Sequence, residues 1–158
     1  MNKQRVYLET SFVSYLASRP SRDVVTAGHQ AITHQWWKER RHDFTLYISA
    51  PVTDEAAQGH PEAAEKRLAV LAPIESLVVD EAITFAAVLI EAHAIPEKAA
   101  IDALHVAISC VYDIHYLLTW NCKHIANAER YRDIEKQCRD SGYIAPIICT
   151  PETLLGED

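Results

Sequence analysis

The sequence predicts a single α/β domain built on a central parallel sheet of about five strands flanked by helices. Three observations carry this. Five short strand candidates alternate with helical stretches along the 158 residues, the pattern of strands joined by crossover helices. Residues 97–127 read as a helix apolar almost all round and then a short buried strand, as in the middle of a layered core. No internal repeat, linker or low-complexity segment divides the chain, and its length suits one domain spanning 1–158.

The first strand candidate is 5–8, Arg-Val-Tyr-Leu, with Glu9, Thr10 and Ser11 directly after it. Phe12, Val13, Tyr15 and Leu16 then suggest a helix that Thr10 or Ser11 can cap. Residues 19–23 read as a loop, and 24–41 as a helix with Val25, Ile32 and Trp36 on one face and Lys38, Arg40 and Arg41 at its carboxyl end. Those cations beside Trp36 and Trp37 could grip a nucleic-acid strand. Tryptophans at helical spacing, however, more often belong to a core, and terminal cations are usually solvated.

Residues 46–49 form the second strand candidate. Pro51 suits the first position of the next helix, because it lacks only an N–H that would be unpaired there. Glu55 then falls one turn in, with Asp54 about 100° away around the helix. Gly59-His60-Pro61 breaks the chain before a more polar helix over 62–71. Residues 74–79 are the third strand candidate, and Asp80 can cap a helix over 81–93 that Ile95-Pro96 closes. In the next helix Ile101, Leu104, Ile108 and Val111 recur at three- and four-residue steps, with alanines and Val106 on the other sides. Residues 116–119 read as the fourth strand, 123–127 as a turn or helix start, 129–139 as an exposed helix and 147–149 as the last strand. Thr150 and Pro151 then suit a helix cap and the position after it.

Composition narrows the function. Fifteen Lys and Arg against 22 Asp and Glu give a net charge of −7, which argues against coating nucleic acid by bulk positive charge. An enzyme acting on one phosphodiester is still compatible with that balance. The amino terminus has no apolar signal-peptide core, and the most apolar later run, 82–95, is too short to span a bilayer and carries Glu91 and His93. A soluble cytoplasmic protein without a membrane is the expectation. Cys110, Cys122, Cys138 and Cys149 lie far apart with no CxxC pair, which favours reduced thiols and disfavours a zinc site.

The candidate chemistry is carried by oxygen-bearing side chains in unusual places. Asp102 lies in the apolar helix, where an unpaired carboxylate is costly. Glu9 and Asn121 sit at the exits of the first and fourth strands, and Glu55 follows the exit of the second. In a parallel sheet those exits share one edge, where clefts form. Three converging carboxylates repel one another, so a hard divalent cation such as Mg²⁺ or Mn²⁺ resolves the arrangement. Each acid alone is also what an ordinary acidic helix start looks like.

The wording around these residues is more specific. YLETS after the first strand, TDEAA in the helix with Glu55, IDALHVA around Asp102 and LLTWNCKHIAN at the fourth strand resemble, in that order, the motifs of PIN-domain proteins. The likeness is nearest to the VapC-type toxins of toxin–antitoxin pairs, and it extends to the final ICTPETLL. The resemblance implies a Rossmann-like sheet and a metal-dependent endoribonuclease restrained by a cognate antitoxin, often as a homodimer. It implies that Glu9, Glu55, Asp102 and Asn121 surround Mg²⁺ or Mn²⁺, with Thr10 and Thr119 bonded to the acids or to water. Two positions depart from the family pattern. Glu9 and Asn121 stand where Asp is usual, so the site has one longer arm and one fewer negative charge. Asn121 would still offer a carbonyl oxygen, with weaker metal affinity.

A second hypothesis is a non-catalytic PIN-like domain that binds RNA or a partner protein. A phosphatase with an aspartyl nucleophile is disfavoured, because the first strand ends in LETS with no Asp to attack. His105, one turn after Asp102, can orient a carboxylate or relay a proton, although a hydrogen-bonded core histidine is the commoner outcome. Lys123 and His124 can touch phosphate or be merely solvated.

Overall fold

The structure is a computed structural model that describes residues 2–157. Its elements run β1 (Gln4–Leu8), α1 (Thr10–Ala17), α2 (Val24–Arg40), β2 (Phe44–Ser49), α3 (Ala50–Ala56), α4 (Pro61–Leu71), β3 (Glu75–Leu77), α5 (Asp80–Glu91), α6 (Ala100–Val111), β4 (Tyr116–Leu118), α7 (Ala128–Asp140) and β5 (Ile147–Cys149), with short 3₁₀ turns at Arg41–Asp43, Glu97–Ala99 and Pro151–Leu154. This is the α/β architecture expected: one five-stranded sheet, every pairing parallel, in the order β3-β2-β1-β4-β5. Among the described residues no helix is long and apolar enough to cross a membrane.

The strand order explains where a site can form. The chain steps outward from β1 through β2 to β3, then returns across the sheet to β4 and continues to β5. Its direction therefore reverses between β1 and β4, the place at whose carboxyl ends α/β sheets form a crevice. Right-handed crossovers send the outward and the returning helices to opposite faces. The packing agrees: α1 lies against α2, α3 and α4, while α5 lies against α6 and α7. β1 is central, with Val6, Tyr7 and Leu8 fully buried and Tyr7 in register with Tyr47 on one side and Leu117 on the other.

Local differences from the sequence expectations have physical causes. Helix α1 is capped neither by Thr10 nor by Ser11 but by Glu9, whose side chain accepts from the Ser11 N–H. Pro51 is the second rather than the first residue of α3, which starts at Ala50 after Ser49, so Glu55 lies near that helix's end. β3 covers only Glu75–Leu77 because it is an edge strand with a single partner, β2. Asp80 is the first residue of α5 rather than its cap, which is Val79.

Helix α6 lies in the core as expected, but not on every side. Ile101 is 49% exposed, and the buried face is Ala103, Val106, Ala107, Ile108 and Cys110 together with polar His105 and Ser109. Where every face carries apolar residues, spacing alone does not choose among them.

The carboxyl end of α2 resolves in favour of packing. Trp36 is fully buried, edge-on to Phe12 and stacked on Phe44, and its Nε1 donates to the Leu154 carbonyl at 3.1 Å. Arg41 lies over the Trp37 ring, and Arg40 over Phe44 beside Asp43. The fold also brings together two cysteines that are 28 residues apart. Cys110 and Cys138 are free, buried thiols with sulfurs 2.9 Å apart, and this contact together with burial keeps Cys110 protonated.

Candidate active site at the β1/β4 crevice

The crevice is built from chain segments that the sheet forces together. Glu9 follows β1 directly, and its backbone N–H continues the ladder to the Leu118 carbonyl of β4 at 3.1 Å. Its side chain turns back over the start of α1, where Oε2 accepts from the Ser11 N–H at 3.2 Å and Oε1 accepts from the hydroxyls of Ser11 and Thr119, each at 2.5 Å. Three donors, one of them at a helix amino terminus, make a 4% exposed carboxylate tolerable. The extra methylene relative to Asp is absorbed by this fold-back.

Glu55 reaches the same place from α3, while its neighbour Asp54 is exposed to water, as the helical offset requires. Thr10 Oγ1 donates to Glu55 Oε1 at 2.7 Å, and His105 Nε2 donates to the same oxygen at 2.6 Å. Both donors go to Oε1, which leaves Oε2 free of them. Burial pushes the Glu55 carboxyl up, but the bonds from His105 and Thr10 and the nearby imidazole outweigh it, and the group is held below the usual range.

His105 is fully buried and joins Glu55 to the centre of the sheet. A carboxylate only accepts, so Nε2 carries the hydrogen, and in a neutral ring Nδ1 is then an acceptor. Tyr7 fills it: its hydroxyl lies 2.7 Å from Nδ1 and 2.6 Å from Ser49 Oγ. Burial is the main force holding the Tyr7 phenol protonated, far above its usual range. The donors therefore run in one direction, from Ser49 to Tyr7 to His105 to Glu55. One ligand atom from each of Glu9, Glu55 and His105 falls within 4.8 Å of the others, a group that can hold a metal ion; with the His105 nitrogens taken by Glu55 and Tyr7, the two carboxylates are the ligands it offers.

Asp102 lies one helical turn before His105 and stands at the margin of the tight group rather than inside it. Burial, then the charge of Glu9, raises its carboxyl above the usual value; His105, the Asn121 side chain and His124 act in the opposite direction. The charge of Glu9 and the Asn121 side chain thus both act on Asp102. The Asn121 side chain is also engaged within its own loop. Oδ1 accepts from the His124 N–H at 3.1 Å, closing the turn after β4, and the Asn121 N–H is held by Thr119 Oγ1 at 2.9 Å. Asn121 shapes the loop and supports Asp102.

Of the four residues singled out in the sequence, Glu9 and Glu55 come together with His105, and Asp102 feels the charge of Glu9 and the Asn121 side chain. Thr10 and Thr119 bond the acids as expected. His105 had been set aside as a core histidine, and it is one, but its far nitrogen is on the site. Tyr7, Ser49 and Ser11 gave no signal of their own, because a tyrosine inside a strand and serines at strand exits are ordinary. When the chain is compared with known proteins, no family model, curated protein or solved structure matches it, and the site stands on its own geometry.

Proposed function

We propose that the chain is a metal-dependent endoribonuclease that hydrolyses RNA phosphodiester bonds at the β1/β4 crevice, with Mg²⁺ or Mn²⁺ as the ion. The carrying observation is that ligand atoms of Glu9, Glu55 and His105 lie within 4.8 Å of one another at the point where the strand order reverses, with Asp102 one helical turn before His105. The donor set fits a hard cation: the carboxylates of Glu9 and Glu55 come from separate segments to one place, and the Asp102 carboxyl, raised first by burial, also feels the charge of Glu9. Glu55, Asp102 and Glu9 would hold the ion. When bound, such an ion polarises a phosphoryl oxygen and lowers the pKa of water.

The chain's own residues do the rest. Thr10 and His105 fix the Glu55 carboxylate so that Oε2 remains for the ligand, while Thr119 and Ser11 orient Glu9 through donors to both of its oxygens. Fixing ligands through a second layer of hydrogen bonds is worth about 10–100-fold in metal affinity. A cytoplasmic toxin restrained by an antitoxin and acting as a homodimer is part of the same proposal, supported by the ordered motifs around these four residues.

The second reading, a non-catalytic domain that binds RNA or a partner protein, is favoured by one observation. Glu9 and the Asn121 oxygen are already satisfied by protein donors. Incubation of defined RNAs with Mn²⁺, Mg²⁺ or EDTA separates the two: ion-dependent cutting supports the nuclease, and RNA binding without cutting under any ion supports the alternative.

Metal binding also has an expected pH signature. The folded Asp102 carboxyl titrates above its ordinary value of 3.8. Its contribution to stability is therefore full below that value and is lost as pH rises through the folded one. A divalent ion needs the deprotonated form and reverses the trend. At a concentration of about 100 times its Kd, Mn²⁺ should stabilise the protein by about 2.7 kcal/mol near neutral pH. The thermal shift should shrink as pH falls towards about 4, and EDTA should abolish it. An equal shift in Asp102→Asn would show that the ion binds elsewhere.

A further inference from the structure

Beside the acid crevice lies an aromatic cluster that neither the core nor the acids require. His29 of α2 stacks on Trp120 with centroids 4.1 Å apart and planes 14° from parallel, and Tyr15 of α1 tilts against both at 6.1 and 6.0 Å. All three rings are half-buried, unlike Trp36 in the core. Trp120 is tied to the crevice by its place between Thr119 and Asn121. Its backbone N–H donates to Ser11 Oγ at 2.8 Å, the same hydroxyl that donates to Glu9. Its Nε1 donates to Thr33 Oγ1 at 2.8 Å. With both N–H groups satisfied inside the protein and one face covered by His29, what Trp120 has left for a ligand is the remaining surface of its half-buried ring.

The adjoining loop carries the complementary charge. Gln30, buried and next to His29 in sequence, donates to Ser18 Oγ at 2.7 Å and to the Arg19 carbonyl at 3.0 Å, and accepts from the Ser21 N–H at 2.9 Å. A buried side chain thus fixes a loop that displays exposed Arg19 and Arg22. Arg19 meets only the exposed Glu62, at 3.5 Å, a pairing of the kind that gives way easily. In a chain of net charge −7, cations on a clamped loop next to stacked rings and an acidic crevice match one ligand chemistry: a phosphate backbone with an unpaired base.

We infer that Tyr15, His29 and Trp120 form a stacking subsite for one unpaired nucleobase of an RNA strand, with Arg19 and Arg22 on its phosphates. The subsite takes its ligand class from the proposed function, and its test is independent of cutting. Binding is measured in EDTA by fluorescence anisotropy, with a labelled oligoadenylate of about ten nucleotides and an abasic oligomer of the same length. The wild type should prefer the base-bearing strand by about tenfold or more, the scale of one base–aromatic stack. Trp120→Leu should erase that preference. Trp120→Phe, which keeps a ring, and Thr33→Val, which removes only the Nε1 partner, should both retain most of it. Equal preference in Trp120→Leu and wild type, or none in wild type, would overturn the subsite. So would equal loss in the Leu, Phe and Val variants, which would assign Trp120 a structural role. A protein that cuts RNA with Mn²⁺ but ignores the base would keep the nuclease and lose the subsite. Base preference without cutting would do the reverse.

Discussion

Glu55→Gln should lower ion-dependent RNA cleavage by more than about a hundredfold while leaving the fold intact. Losing an outer-layer partner of a metal ligand already costs about 10–100-fold, and Glu55 is proposed as a ligand itself. The substitution keeps the shape of the side chain, and the amide oxygen can still accept from Thr10 and His105. What it removes is the charge. Asp102→Asn should do the same, and relieving the repulsion with Glu9 should make the metal-free protein slightly more stable. Initial rates on a defined RNA, measured with purified variants alongside circular dichroism, check both. Cleavage that survives either change would place the chemistry elsewhere or in a contaminant.

The largest expected loss of stability from a site substitution is at His105. His105→Ala removes a fully buried ring and leaves the Tyr7 hydroxyl and Glu55 without a shared partner, Ser49 and Thr10 being the donors that remain. Large-to-small changes at such positions cost about 3 kcal/mol or more once the cavity is included, and buried polar groups that lose a partner add to it. Tyr7→Phe deletes only the middle hydroxyl and should cost about 1–3 kcal/mol. Urea unfolding monitored by tryptophan fluorescence measures both. If His105→Ala were as stable as wild type, the chain from Ser49 to Glu55 would carry no structural weight.

These two positions also show what the sequence could and could not disclose. The sheet was legible because its strand candidates are separated by helices with their own punctuation, such as Gly59-His60-Pro61 and Ile95-Pro96. Strand order was not, since nothing in the spacing says that β1 lies between β2 and β4; that follows from pairing. Glu9, Glu55, Asp102 and Asn121 stood out as polar groups at strand exits or inside an apolar helix, and the sheet edge gathers them. Their detailed roles depended on contacts far away in the chain. Glu9 caps α1 through the local Ser11 N–H, but Thr119, 110 residues on and just past β4, also holds it there. Asn121 is the exception, its oxygen accepting from the His124 N–H only three residues on. Tyr7 and Ser49 acquired significance only through His105, which lies 98 residues from Tyr7.

The two sides of the crevice divide the work proposed for it. Acids on one side meet an ion and a phosphate, and rings with two arginines on the other meet a base and the following backbone. Ser11 belongs to both, since its hydroxyl touches Glu9 and the Trp120 N–H. Ser11→Ala should therefore weaken metal binding and strand binding together, whereas Trp120→Leu should weaken only the second.

The most direct test is calorimetric titration of Mn²⁺ into the metal-free protein near neutral pH, beside Glu55→Gln and Asp102→Asn. Saturable binding in the wild type, lost or weakened at least tenfold in both variants, is the expected result. Binding that is absent from the wild type, or equally strong in all three proteins, would contradict a metal centre made by these acids.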